Sequence, residues 1–228
     1  MTYIISLLSK IKGENYTIDK RIPFAYLCRY FLVKAFSLVY GQIRLHCLKI
    51  VFVHPSVTIK CQSKIKFIKN LNIDSGSYID ALSVNGLRLG YNVNIGYKTH
   101  LQLSGSLHKI GIGARIGNNV SLGTHGYYGS GMGELIIGND VIFGNYVSIH
   151  PENHNYSNNN VLIRNQGVYS RGGVIIGNNC WIGAKVTILD GTVIGNNTIV
   201  AAGAVVTGKF PENVVLGGIP AKIIKTLK

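Results

Sequence analysis

Seven histidines and a single tryptophan carry most of the reactive potential of this 228-residue chain. His125, His150 and His154 gather in mid-sequence, and His154 sits in the polar run Glu152-Asn153-His154-Asn155-Tyr156. A neutral imidazole at pH 7 can take a proton from a hydroxyl. Three imidazoles can instead hold zinc, although zinc needs paired ligand spacing and one position left open to water. The residue types alone leave both chemistries open. His46, His54, His100 and His108 lie outside this stretch and are read as surface or packing residues.

The frame that must hold these side chains is a six-residue period. Residues 176–208 divide into IGNNCW, IGAKVT, ILDGTV, IGNNTI, VAAGAV and VTG. The first place is filled by Ile176, Ile182, Ile188, Ile194, Val200 and Val206, and the fifth by the small residues Cys180, Val186, Thr192, Thr198 and Ala204. Such a period fits neither an α-helix nor an alternating strand. It fits a solenoid of short strands and turns, with three hexapeptides to each triangular coil and the first and fifth residues pointing inward. The Gly-Asn-Asn and Gly-Asn-Asp steps at 117–119, 138–140, 177–179 and 195–197 are the expected corners, because Gly and Asn tolerate left-handed backbone angles. His154 and Trp181 then take the outward sixth place of their hexapeptides. An outward Trp on a narrow prism calls for a ligand or partner to cover it.

The period begins imperfectly at Val53 and is clear from Leu89, with further blocks headed by Ile110, Ile116, Leu122, Ile137, Phe143 and Ile149. It gains three residues between Leu101 and Ile110, nine between Leu122 and Ile137, and 21 between Ile149 and Ile176. Each gain follows the third hexapeptide of a triplet, so the excursions should leave the prism at one corner and stack along one edge. A functional site is expected there, near 124–136 and 150–175.

Two regions follow: 1–52, without the period, and the solenoid at 53–228. With 46% hydrophobic and 14% charged residues and 28 Gly, the chain suits a folded, turn-rich solenoid. Cys28, Cys47, Cys61 and Cys180 form no CxxC pair, and no cleavable secretory signal is read, so free thiols in the cytoplasm are expected. The net charge of +14 is uneven. Residues 1–70 hold 12 Lys+Arg against Glu14 and Asp19, or +10, and residues 71–228 hold 11 against 7, or +4. Such a bias suggests an anionic neighbour. The apolar stretch Phe24–Tyr40, broken by Arg29 and Lys34, is too short and charged to span a bilayer. Two compatible roles are expected for 20–44: capping the open end of the solenoid, and peripheral contact with the inner face of the cytoplasmic membrane. No nucleic-acid motif accompanies the charge, so no nucleic-acid partner is expected.

The run GGVIIGNNCWIGAKVTILDG, the NHNY segment and the terminal GGIPAKIIK resemble the hexapeptide-repeat acyltransferases, above all the galactoside, maltose, nodulation-factor and polysaccharide O-acetyltransferases. The resemblance implies an all-β solenoid, a left-handed parallel β-helix, and the apolar stretch ahead of it reads as a short N-terminal helical segment. The resemblance also implies a homotrimer with sites between subunits, acetyl-CoA as co-substrate and no required metal. The catalytic His of that family falls on His154, as general base, with Glu152 or a backbone carbonyl left open as its orienting group. Acetyl-CoA contacts fall on Trp181, Ala184, Ala202, Lys222 and Lys225. Lys209 is shifted by one, since Thr207-Gly208-Lys209 stands where the family often has Thr-Lys-Asp. The acceptor pocket, shaped by 124–136 and 155–175, falls on His125, Tyr127, Glu152, Asn153 and Arg164. The implied reaction is O-acetylation of a sugar, free or in a lipid-linked glycan, during capsule, O-antigen or exopolysaccharide synthesis.

Other readings stay open at this point. N-acetylation of an amino sugar, or acetylation of a small molecule such as an antibiotic, would use the same frame. A β-helical carbonic anhydrase would use the three histidines for zinc, and a scaffold would use no chemistry. The WIG block and the GxPAK tail favour the CoA-dependent branch.

Overall fold

The computed structural model describes residues 18–227, so the first 17 residues of the 1–52 segment lie outside the described residues. Helix α1 (Phe24–Arg44) starts after Pro23, whose fixed backbone suits a helix entrance, and closes with the Leu45 N–H on the Gly41 carbonyl. It lies over the N-terminal end of the solenoid. Gly41 makes the close approach possible, because a Cβ there would stand 2.6 Å from the Val51 carbonyl oxygen. The Arg44 guanidinium donates to the Ile59 carbonyl (2.8 Å), and Lys34 Nζ donates to Asn72 Oδ1 (2.6 Å).

The solenoid has three faces. Among the described residues its strands form sheets of nine, seven and seven, plus a two-stranded ribbon. Val51–Val53 opens the first face, Thr58–Lys60 the second and Ile65–Phe67 the third, and the chain then returns to the first face at Leu71–Ile73. Successive coils pair in parallel, register by register. The closing pair, Val214–Gly218 with Ala221–Thr226, is antiparallel. The fold is the solenoid that the six-residue period implies, preceded by the helix expected from the apolar N-terminal stretch.

Burial follows the period. Ile176, Ile182, Ile188, Ile194, Val200 and Val206 are at most 1% exposed and stack in one continuous core. Each such side chain contributes on the order of 1.5–3 kcal/mol by leaving water. Cys180 is buried among them, which pushes its thiol pKa up.

Asparagines turn the corner from the third face to the first. Asn92, Asn119, Asp140, Asn179, Asn197 and Asn213 all have φ between 53° and 61°. Their side chains run up the corner as a hydrogen-bonded ladder, Asn92 to Asn119 (3.0 Å), Asn119 to Asp140 (2.8 Å) and Asn179 to Asn197 (2.9 Å). The amides satisfy one another while accepting a backbone conformation most residues avoid.

The period needs correction in two places. Ile110 heads no rung, because the chain leaves the prism after Leu103, which is still buried in the core, and rejoins its neighbours at Gly111, paired with Ser83, ahead of the strand Ala114–Ile116. Tyr128, within the 124–136 stretch expected to shape the acceptor pocket, is fully buried and takes the inward place after Leu122. Gly126 makes room for it: a Cβ there would meet the Tyr128 ring at 2.5 Å. The excursion in that coil is therefore short, residues 130–134, between Tyr127–Gly129 and Leu135–Ile137. The longest excursion, 151–173, separates Ser148–His150 from Val174–Ile176. Every excursion lies between a second-face strand and a third-face strand.

Candidate functional site

The longest excursion is built as a hairpin. Asn153–His154 pairs antiparallel with Val168–Tyr169, and His154 is exposed on it opposite Val168. The tip closes on itself: the Asn155 N–H donates to the Gly167 carbonyl (3.0 Å), and Gln166 Nε2 donates to the carbonyls of Asn158 (2.9 Å) and Val161 (2.7 Å). Beyond the ribbon the tip encloses an open cavity of about 650 Å³ lined by Tyr156, Asn158, Leu162, Ile163 and Arg164 among others.

One buried carboxylate ties this hairpin to the prism. Asp190, 3% exposed, accepts from Asn153 Nδ2 (2.9 Å) just before His154. It also accepts from Ser170 Oγ (2.6 Å) and from the backbone N–H groups of Arg171 (2.5 Å) and Gly173 (3.1 Å) on the returning limb. Both limbs are thus held by charge-assisted hydrogen bonds to the same side chain, the stronger class of such contacts. Asp190 was not singled out from the sequence. The available signal was its block, ILDGTV, in which Leu replaces the usual second-place Gly or Ala and an acid follows.

Glu152 does not reach His154 in this arrangement. Its carboxylate accepts the Met132 N–H (3.0 Å) and so joins the hairpin to the excursion one coil below. Asn153 is spent on Asp190 rather than pointing at a substrate. Arg164 stands on the tip, exposed. Tyr127 lies on the second face with its ring stacked on His150 (5.3 Å between centroids, 22°). Partial burial, and secondarily the charge of Glu152, raise the Tyr127 pKa, while burial lowers that of His150 and favours its neutral form. His150 also shares a hydrogen bond with Ser148 Oγ.

His125 is not at the excursion edge. It occupies the corner between the first and second faces with φ 56°, stacked on Tyr146 (4.9 Å, 18°) and edge-on to Tyr97 (5.2 Å). Its side chain therefore belongs to an aromatic ladder one corner away from His154. Among the described residues no three His, Cys, Asp or Glu side chains come together as a group able to hold a metal.

A second set gathers on the first face. Trp181 is 56% exposed and lies in register between Ile142 and Ile199. The row continues through Val215 to Lys225, with Lys222 on the same final strand. Ala184 and Ala202 stack one coil apart at the adjoining corner, where the Gly203 N–H donates to the Ala184 carbonyl (2.9 Å). Ala202 is exposed and Ala184 half-buried, so the backbone there is approachable. The result is an apolar strip ending in two lysines. Lys209 is not part of it; that residue sits on the third face beside Val193. Within one chain the strip and His154 lie on different sides of the prism.

The family described as bacterial transferase hexapeptide (six repeats) matches residues 173–208. WbbJ of Escherichia coli (strain K12), provisionally named as an O-acetyl transferase of lipopolysaccharide biosynthesis, is 37% identical over 97 residues, covering 40% of this chain and 50% of that protein. The galactoside O-acetyltransferase of Lactococcus lactis is 35% identical over 112 residues, covering 47% of this chain and 53% of that protein. The chain thus spans about half the length of the curated relatives it matches. Among solved structures, an N-acyltransferase from Bacillus cereus, AntD, superposes with a TM-score of 0.51 at 19% identity, covering 79% of this chain and 82% of that one. At that identity the likeness is one of fold. Residues 173–208 of this chain thus carry the bacterial transferase hexapeptide repeat.

Proposed function

We propose that the protein transfers the acetyl group of acetyl-CoA to a hydroxyl of a sugar, with His154 as general base. The observation that carries this reading is His154 itself, exposed on a hairpin that one buried carboxylate pins at both limbs. In the proposed step the acceptor O–H gives its proton to the imidazole as its oxygen bonds to the thioester carbonyl carbon. The C–S bond then breaks, and the leaving CoA sulfur takes the proton back. No acyl-enzyme forms, and positioning plus base catalysis carry the rate.

The strip from Trp181 to Lys225 suits the donor. Its apolar part would lie against the pantetheine arm, approachable backbone at Ala184 and Ala202 would meet the amides of that arm, and Lys222 and Lys225 would meet the phosphates. Because strip and base face different ways in one chain, the complete site needs a neighbouring copy to bring His154 of one subunit to the strip of another. A closed homotrimer, the assembly that the family resemblance implies, would serve this purpose. The acceptor class is supported by the names of the O-acetyl transferases the chain resembles and by the amide-rich, Arg-bearing hairpin tip. A glycan of lipopolysaccharide, capsule or exopolysaccharide synthesis in the cytoplasm fits both.

The direct test is acceptor-dependent release of free thiol from acetyl-CoA, run with a panel of galactosides and lipid-linked glycans, with the product identified by mass. Release with at least one sugar and none without acceptor is expected. Release with amines alone would move the reading to N-acylation, and no release with any acceptor would refute it.

A further inference from the structure

Helix α1 is turned the opposite way from an ordinary end cap. The side against the prism buries Leu27, Ser37 and Gly41, with Lys34 and Arg44 hydrogen-bonded to the first coils. The side facing away is apolar apart from Arg29, one turn before Leu32. Leu32, Phe36, Val39 and Ile43, spaced four, three and four residues apart, are 71%, 61%, 56% and 68% exposed. Phe24 and Tyr26 at the start of the helix, and Leu48 just beyond its end, are exposed as well. A helix at a water-facing surface normally shows the reverse pattern, and a contiguous apolar patch of this kind marks a binding surface.

The charge around the patch selects its occupant. Residues 18–70 hold ten Lys and Arg against a single acid, Asp19, for a net +9. Lys20, Arg29, Lys49, Lys64, Lys66 and Lys69 in this region are exposed. Two copies of this chain meeting through the patch would bring +9 against +9. A layer of lipid phosphates supplies opposite charge as well as an apolar interior a few ångströms below. Among the described residues no helix is long and apolar enough to cross a membrane. We infer that the outward face of α1, with its basic surround, docks the protein flat on an anionic lipid bilayer, the helix lying in the headgroup plane and the prism standing away from it.

The geometry has a consequence that rests on the acyl-transfer reading. His154 leaves the fifth coil, and coils rise by about 4.8 Å each, so it would stand roughly 20 Å above the first coil. That height suits a hydroxyl on an extended glycan attached to a lipid rather than one on the first sugar at the headgroup.

The test is co-sedimentation of the full chain with vesicles, which is independent of catalysis. Binding to vesicles of phosphatidylcholine mixed with phosphatidylglycerol is expected. It should fade at high salt and be absent with phosphatidylcholine alone. Phe36→Glu should lower the bound fraction about tenfold or more, with an unchanged melting temperature, mass in solution and thiol-release rate on a soluble acceptor. If Phe36→Glu fails to fold, Lys20→Glu combined with Arg29→Glu provides the same reading through the charge. No sedimentation with anionic vesicles, or equal sedimentation with neutral ones, would overturn the proposal. So would a Phe36→Glu protein that changes its subunit number yet still binds vesicles, since the patch would then be a contact between copies.

Discussion

His154→Ala is expected to leave the fold and the subunit number intact and to cut acetyl transfer by a factor of about 10²–10⁴. The structural part of this expectation rests on exposure. His154 is held in the ribbon by its backbone pairing with Val168, and its side chain fills no core space. The hydrogen bonds that fix the hairpin belong to its neighbours Glu152 and Asn153. The kinetic part rests on chemistry, because no other group on the ribbon can take a proton from a hydroxyl at pH 7. The loss should fall on kcat, with acetyl-CoA binding unchanged. A His154→Ala protein that turns over at the wild-type rate would remove the base from the account. In that case His150, neutral and stacked on Tyr127 three residues from the hairpin, would be the next candidate.

Asp190→Ala should produce the second large effect, through position rather than chemistry. The substitution leaves Asn153 Nδ2, Ser170 Oγ and the Arg171 N–H without their common acceptor, while the Gly173 N–H keeps its bond to Ser170 Oγ (2.9 Å). Leaving a buried donor unpaired costs about 1–3 kcal/mol each, reduced where water can enter. The hairpin should loosen at both limbs, and a displacement of about 1 Å at His154 is enough to cost on the order of 10²-fold in rate. Hydrogen exchange provides the readout that a merely global effect would not give. Amides at 153–173 should lose protection while those of the seventh-coil strands Ile199–Val200 and Val205–Val206 keep theirs. Unchanged protection across 153–173 with a lowered rate would show that Asp190 does not act by holding the hairpin.

The prism follows from counting, and so does the long excursion at 150–175, but the count put His154 in the outward sixth place of a rung, whereas the rung ends at His150 and His154 stands on a hairpin off the prism. A period of six fixes which residues point inward, and Ile176 through Val206 are all buried as that count requires. One corner was legible for a related reason: Asn accepts φ near 55° more readily than most residues, and the Asn ladder stands where Gly-Asn steps occur, whereas the next corner reaches similar angles at Lys98, His125, Tyr146 and Lys185 without that signal. What counting could not reveal was a core position filled by an unusual side chain. Tyr128 looked like a loop aromatic, and only the space vacated at Gly126 lets a phenol ring enter the prism. The same miscount drew His125 toward the excursion edge, whereas it lies in the ladder with Tyr97 and Tyr146. Asp190 and the engagement of Glu152 depend on partners 37 and 20 residues away, and no local pattern encodes such pairings.

Calorimetric titration of acetyl-CoA into the purified protein tests the central claim most directly. One site per chain is expected, competed by free CoA and weakened by Trp181→Ala, because the apolar strip on the first face would be the donor surface. Absence of heat at any attainable concentration, or binding unaffected by free CoA, would contradict the assignment of the strip and with it the proposed transfer.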